Sequence, residues 1–174
     1  MNAVAESECW RAAARLLRMK PYLALRTKCG FLYSSFFLVD RNARALSDIK
    51  ADSALVRPLA DCLCDFLRRT LGPGLAGWCL CTAPRRRHRD DLHFASAICE
   101  ATSTELGVPF RADALASRTR DRIDTTFSLR ADPPEHNIVL FDDIITRGIT
   151  IRESRRLLLE AGHAVLPVVA IRNG

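Results

Sequence analysis

The stretch Ile138-Val139-Leu140-Phe141-Asp142-Asp143-Ile144-Ile145-Thr146-Arg147-Gly148-Ile149-Thr150 decides the fold. Its apolar run predicts a short strand over Asn137 to Phe141, buried on both faces. That strand delivers two adjacent carboxylates, Asp142 and Asp143, to its C-terminal end. In an open α/β sheet, ligands bind outside that end. A Thr/Gly loop follows and opens onto a helix predicted over Thr150 to Ala161. Ile151, Ser154, Leu158 and Ala161 fall on its buried face, and Gly162 stops it. A helix N-terminus presents free N–H groups and the positive end of the helix dipole, so the loop Thr146 to Thr150 is expected to hold a phosphate. Gly148 lets the backbone approach closely, and Thr146 and Thr150 can add hydroxyl donors. A ligand with vicinal hydroxyls beside a phosphate satisfies both halves, and ribose 5-phosphate has that shape.

Strands and helices alternate outward from this unit. A last strand is predicted over Ala164 to Ile171. Upstream, residues 5 to 19 read as a helix carrying Trp10, Ala13, Ala14 and Leu17, and Phe31 to Val39 as one strand or a short hairpin. Ser53 is a candidate N-cap for a helix to about Leu71, whose apolar face carries Leu55, Leu59, Leu63 and Phe66, and Gly72-Pro73-Gly74 ends it. A strand over Trp78 to Thr82 leads into the loop Ala83-Pro84-Arg85-Arg86-Arg87. Asp90 or Asp91 then caps a helix to Leu106, with Gly107 as its C-cap. Residues 108 to 135 read as irregular and Arg-rich, and 111 to 131 as a lid poorly ordered without ligand. The alternation predicts an α/β protein with a mainly parallel sheet flanked by helices on both faces.

Composition sets the outer limits. A chain of 174 residues suits a single domain over 1–174. No stretch approaches the roughly 18 consecutive apolar residues of a membrane span. Glu6, Glu8, Arg11, Arg15 and Arg18 make the N-terminus unlike a secretory signal, so a cytoplasmic address is the expectation. The seven cysteines are expected as reduced thiols, with Cys79 and Cys81 sharing the buried face of a strand and Cys62 and Cys64 on different faces of a helix. Their Cys-x-Cys spacing is not that of a structural zinc site. Net charge is +6, and only three of the 26 basic residues, Lys20, Lys28 and Lys50, are lysines. Guanidinium groups in that excess suit an anionic ligand gripped in bidentate fashion. No aromatic-interleaved basic stripe points to a specific nucleic-acid partner.

Phe141 to Thr150 resembles the PRPP-binding signature of the type I phosphoribosyltransferases: an apolar run, two acidic residues, then a Thr/Gly loop, with Arg147 in place of a common small residue or Thr (PRPP is 5-phosphoribosyl-1-pyrophosphate). Residues 46 to 172 resemble the ComF-type branch, through Ala45 to Leu67 and Pro84 to Val108, although that branch's N-terminal Cys₄ zinc finger is absent. A weaker similarity links Phe31 to Phe37 and Ile151-Arg152-Glu153-Ser154 to orotate phosphoribosyltransferases. The resemblance implies the type I phosphoribosyltransferase fold with a small hood, expected from 20–40 and 109–130. It implies that Asp142 and Asp143 hold the ribose hydroxyls, that Ile144, Ile145, Thr146, Arg147, Gly148, Ile149 and Thr150 complete the PRPP site, and that Ala83 to Arg87 face the pyrophosphate. Arg86 and Arg87 are the expected clamps on the leaving group, with Arg118, Arg120 and Arg122 as further candidates in the hood. Mg²⁺ is implied as cofactor, carried by PRPP rather than by direct protein ligation.

The expected activity is transfer of phosphoribose to a nitrogen heterocycle with release of pyrophosphate. A non-catalytic PRPP- or nucleotide-sensing protein, or a ComF-like accessory protein, is the alternative. The partners expected are PRPP and an unidentified base, with a homodimer left open. His88 and His93 read as surface or satisfied histidines in preference to catalytic ones. At the first loop position, where the 6-oxopurine branch usually has Asp, this chain has Thr146, and the basic residues after the motif are Arg152, Arg155, Arg156 and Arg172. Hypoxanthine and guanine are therefore expected to be poor acceptors, and orotate, another pyrimidine-like acid or an unfamiliar heterocycle better ones.

Overall fold

The computed structural model describes residues 7–28, 30–41, 43–84, 93–117 and 127–173. The chain runs α1 (Glu8–Leu17), β1 (Lys20–Lys28), β2 (Phe31–Leu38), α2 (Leu46–Ala51), α3 (Val56–Leu71), β3 (Trp78–Thr82) and α4 (Phe94–Leu106). It continues through β4 (Leu115–Ser117), β5 (Phe127–Leu129), β6 (Asn137–Ile145), α5 (Ile149–Glu160) and β7 (Ala164–Arg172). Five strands form one sheet in the order β1-β2-β7-β6-β3. The pairs β2–β7, β7–β6 and β6–β3 are parallel, and only the outer strand β1 is antiparallel.

Alternation along the central strands sorts their side chains into two cores. Val139, Phe141, Leu80 and Val168 pack with Trp10, Leu63, Phe66 and Ile98 from α1, α3 and α4. Ile138, Leu140, Cys79 and Cys81 pack on the opposite face with Ile151 and Leu158 of α5 and with Leu115. Both faces are thus covered, as a mainly parallel sheet requires. Cys79 and Cys81 share a face as expected. Cys62 and Cys64 are both buried, since α3 lies between α1 and α4 and hides most of its circumference. Burial raises the Cys64 thiol to about 11, so it stays protonated at neutral pH.

Four expectations need correction. The strand predicted to end at Phe141 continues to Ile145, because Ile144 and Ile145 pair with Ile171 and Arg172 in the same register. Lys20–Lys28 is a strand, where no element was expected; its residues alternate between exposed and partly covered, as suits an outer strand. With β2 it forms the edge of the main sheet, which is where the 20–40 hood candidates lie. The span 108 to 135 is not wholly irregular: β4 and β5 pair antiparallel, with Leu115 and Phe127 buried, so the described ends of the expected lid are packed. The helix caps expected at Asp90 or Asp91 fall outside the described residues, and α4 starts after His93. The chain enters α3 through a 3-10 turn over Ser53–Leu55 whose N-cap is Asp52, accepting from the Ala54 N–H at 3.0 Å, one residue before the expected Ser53.

Candidate active site

The strand order puts the C-terminal ends of β3, β6, β7 and β2 along one rim. Ala83 N–H donates to the Phe141 carbonyl at 3.2 Å, which ties the start of the loop after β3 to the residue before the acidic pair. Asn173 N–H donates to Ile145 O at 3.0 Å, and Val39 N–H to Arg172 O at 2.9 Å, so the exits of β6, β7 and β2 are stitched side by side. From that rim the chain after β2 enters α2.

The two carboxylates belong to the strand rather than to a loop, so they leave it in opposite directions. Asp143 is buried. Lys50 of α2 donates to it at 2.9 Å, with Nζ also 2.9 Å from its second oxygen, and the Ile144 N–H donates to Oδ1 at 2.8 Å. Asp142 is partly buried, and burial, then the adjacent charge of Asp143, holds its carboxyl well above the usual range while Lys50 pulls it back down. The consecutive acids are therefore unlike: one anchored and paired with a cation, the other raised by burial and by the charge of its neighbour. Both had been expected exposed to ligand; Asp143 is instead a supported side chain.

After Ile145 the backbone turns through Thr146 and Arg147, both exposed, to Gly148, which is buried with φ 76° and ψ 3° and is the N-cap of α5. That left-handed conformation suits Gly and strains other residues. No side chain caps α5. The N–H groups of its first turn, from Ile149, Thr150 and Ile151, have no partners within the helix, and the first intrahelical bond closes from Arg152 N–H to Gly148 O at 3.0 Å. A helix that begins uncapped after a positive-φ glycine, beside two carboxylates, can bind an oxyanion and a diol together.

Ala83 is buried and, with Pro84, sits at the same rim. Arg85, Arg86 and Arg87, the hood candidates Arg118, Arg120 and Arg122, and His88 lie outside the described residues. His93 Nδ1 lies 2.5 Å from Ser96 Oγ, as a satisfied histidine should. Two residues gain weight from the structure. Lys50 had no assigned role, since 93 positions separate it from Asp143; its one sequence signal is that it is the last lysine in a chain otherwise turning to arginine. Arg172, counted only among the basic residues after the motif, is the register partner of Ile145, and its Nε is buried without a hydrogen-bond partner. Among the described residues no group of His, Cys, Asp or Glu could hold a metal ion by itself, and no helix is long and apolar enough to cross a membrane.

No protein-family model matches the chain, and no curated protein sequence matches it. Solved structures do. The adenine phosphoribosyltransferase of Saccharomyces cerevisiae, complexed with an imino-altritol bisphosphate and adenine, superposes with a TM-score of 0.57 at 14% identity, over 93% of this chain and 89% of that one. The adenine phosphoribosyltransferase of Leishmania tarentolae gives a TM-score of 0.51 at 17% identity, over 93% and 74%. The hypoxanthine phosphoribosyltransferase of Trypanosoma cruzi, complexed with the product IMP, gives 0.50 at 16%, over 68% and 59%. With a mostly parallel sheet covered by helices and this likeness to solved structures, the chain has the type I phosphoribosyltransferase fold.

Proposed function

We propose that this protein binds PRPP and transfers its phosphoribosyl group to a nitrogen heterocycle. The observation that carries the proposal is the β6–α5 junction, where Asp142 and Asp143 stand beside an uncapped helix N-terminus that starts at Gly148. The first turn of α5, with Thr146 and Thr150, receives the 5′-phosphate. Asp142 and Asp143 accept from the ribose 2′- and 3′-hydroxyls. The loop Ala83 to Arg87 faces the pyrophosphate, and Arg86 and Arg87 meet the charge that grows on it. A ring nitrogen of the acceptor attacks C1′ as the C1′–O bond to pyrophosphate breaks. The leaving group takes the electron pair, and the acceptor's N–H proton passes to solvent or to the departing pyrophosphate. This protein's contribution is positioning and charge stabilisation of a leaving group.

Mg²⁺ fits as part of the substrate. Asp143 is held by Lys50 and both carboxylates accept from the ribose hydroxyls, so the ion would ride on the pyrophosphate and ribose oxygens of PRPP rather than on the protein. Bound to PRPP, the ion would neutralise the pyrophosphate. For the acceptor, Arg172 supports an acidic heterocycle: it stands at the rim beside Ile145, with an unpartnered Nε. Calorimetry with Mg²⁺-PRPP, followed by pyrophosphate release across a panel of bases, tests the proposal. Micromolar binding with base-dependent release is expected, and absence of PRPP binding rejects it. Binding without release for any base would move the protein to the sensing class.

A further inference from the structure

We propose that Lys50 is a positioning residue of the PRPP site, one that fixes and neutralises Asp143 so that the acidic pair can meet a polyanionic substrate. The inference rests on the assignment of this rim to PRPP.

Lys50 reaches the site from a different part of the chain. The β2 exit is bound to the β7 exit through Val39 N–H and Arg172 O, which brings the following segment, and α2 with it, to the rim that carries the phosphate loop. Two contacts hold α2 there independently of Lys50. Ile49 is fully buried in the core of α1, α3 and α4, and Arg44 pairs with Asp52 at 2.7 Å across the helix. The Lys50 side chain is therefore free to serve the site. It is half exposed, while the carboxylate it grips is only 7% exposed.

The contact geometry is specific. The ammonium lies 2.9 Å from both oxygens of Asp143, and the Ile144 N–H takes a second position on Oδ1. A carboxylate has about four lone-pair positions, so Asp143 keeps free acceptor capacity in a fixed orientation. The charge argument runs in the same direction. Two ionised carboxylates at one rim repel each other and repel phosphate groups, and the adjacent ammonium halves that charge. Lys50 also favours the ionised form of Asp142, the form that accepts hydroxyl hydrogen bonds.

A thermodynamic cycle separates this role from structural support. Mg²⁺-PRPP affinity is measured by calorimetry for the wild type, K50M, K50Q, K50R, D143N and K50M/D143N, with the melting temperature of each. K50M is expected to bind roughly 10-fold more weakly, the scale of one lost charge-assisted hydrogen bond. K50R should recover most of the affinity. In the D143N background, K50M should cause little further loss. Wild-type affinity in K50M, or the same loss with and without Asp143, overturns the proposal: the first makes Lys50 irrelevant, the second makes it a direct ligand contact or a support of the fold. Collapse of both K50M and K50Q to unfolded protein also assigns it to the fold. Failure of the wild type to bind Mg²⁺-PRPP rejects the function itself, a result distinct from wild-type binding that K50M leaves unchanged.

Discussion

The backbone N–H of Ala83 donates to the carbonyl of Phe141 at 3.2 Å, so the loop leaving β3 begins one residue short of the acidic pair on β6. In the proposed complex, the loop that faces pyrophosphate thus starts on the strand next to the one that carries the ribose carboxylates. R86A/R87A should lower kcat/KM for PRPP by about 10²–10³, because removing donors aimed at developing charge has that scale. The melting temperature should change by less than about 2 °C if the two side chains serve only the leaving group. Steady-state kinetics and thermal melting check both. Unchanged kinetics would place the leaving-group clamp elsewhere.

The unlike surroundings of Asp142 and Asp143 predict opposite effects on stability. The Asp142 carboxyl is raised by burial and by the Asp143 charge. An acid whose folded pKa exceeds its unfolded value, about 3.9, destabilises the fold wherever the unfolded form is ionised, and the effect vanishes below that pH. D142N should therefore raise the melting temperature at pH 7, by about 2–4 °C if about 1 kcal/mol is recovered, and the gain should disappear near pH 3. The same variant should lose at least about 10-fold in PRPP affinity, as for a hydrogen bond to a charged group. D143N should lower both affinity and melting temperature, since it removes the carboxylate from Lys50. Equal effects of the two variants on stability would contradict the asymmetry.

Gly148 tests the phosphate loop. Its φ of 76° leaves any side chain strained. G148A should cost about 1–2 kcal/mol for the left-handed backbone alone, or roughly 2–8 °C of melting temperature. It should also weaken binding of ribose 5-phosphate, measured by calorimetry, because the first N–H groups of α5 are aimed from this residue. A variant that melts lower but binds ribose 5-phosphate as before would show that the loop is structural only.

Much of this architecture was legible because its elements declare themselves locally. The apolar run Ile138 to Phe141, the Gly107 and Gly162 stops and the helical face of Leu59, Leu63 and Phe66 are each readable from neighbours in sequence. The misses share a physical cause. The sequence places the end of β6 at Phe141, before Asp142 and Asp143, because charged residues are depleted in strands, yet the ladder with β7 carries the strand through to Ile145. Lys20–Lys28 alternates too weakly in hydrophobicity to declare a strand, and its identity comes from pairing with β2. Lys50 and Asp143 meet only after the sheet has formed, so no local pattern announces the pair.

The acceptor gives the final test. Thr146 opens the loop that follows the acidic pair, and a hydroxyl cannot act as a base at neutral pH. Arg172 lies beside Ile145, at the start of that loop, and its Nε is buried without a partner. A guanidinium at this rim favours an acceptor that brings negative charge, because its planar fork pairs with carboxylates in bidentate fashion. Orotate or another acidic pyrimidine-like heterocycle should therefore outcompete hypoxanthine and guanine. R172M should reduce use of the acidic base by about 10-fold or more while leaving PRPP affinity within about 2-fold, since the substitution removes a charge-assisted hydrogen bond to the acceptor alone. Chromatographic detection of nucleotide from Mg²⁺-PRPP and each base reads the preference, and calorimetry reads PRPP affinity in the variant. Efficient turnover of hypoxanthine or guanine, or an R172M enzyme that keeps its preference, would overturn the assignment of Arg172 to the acceptor.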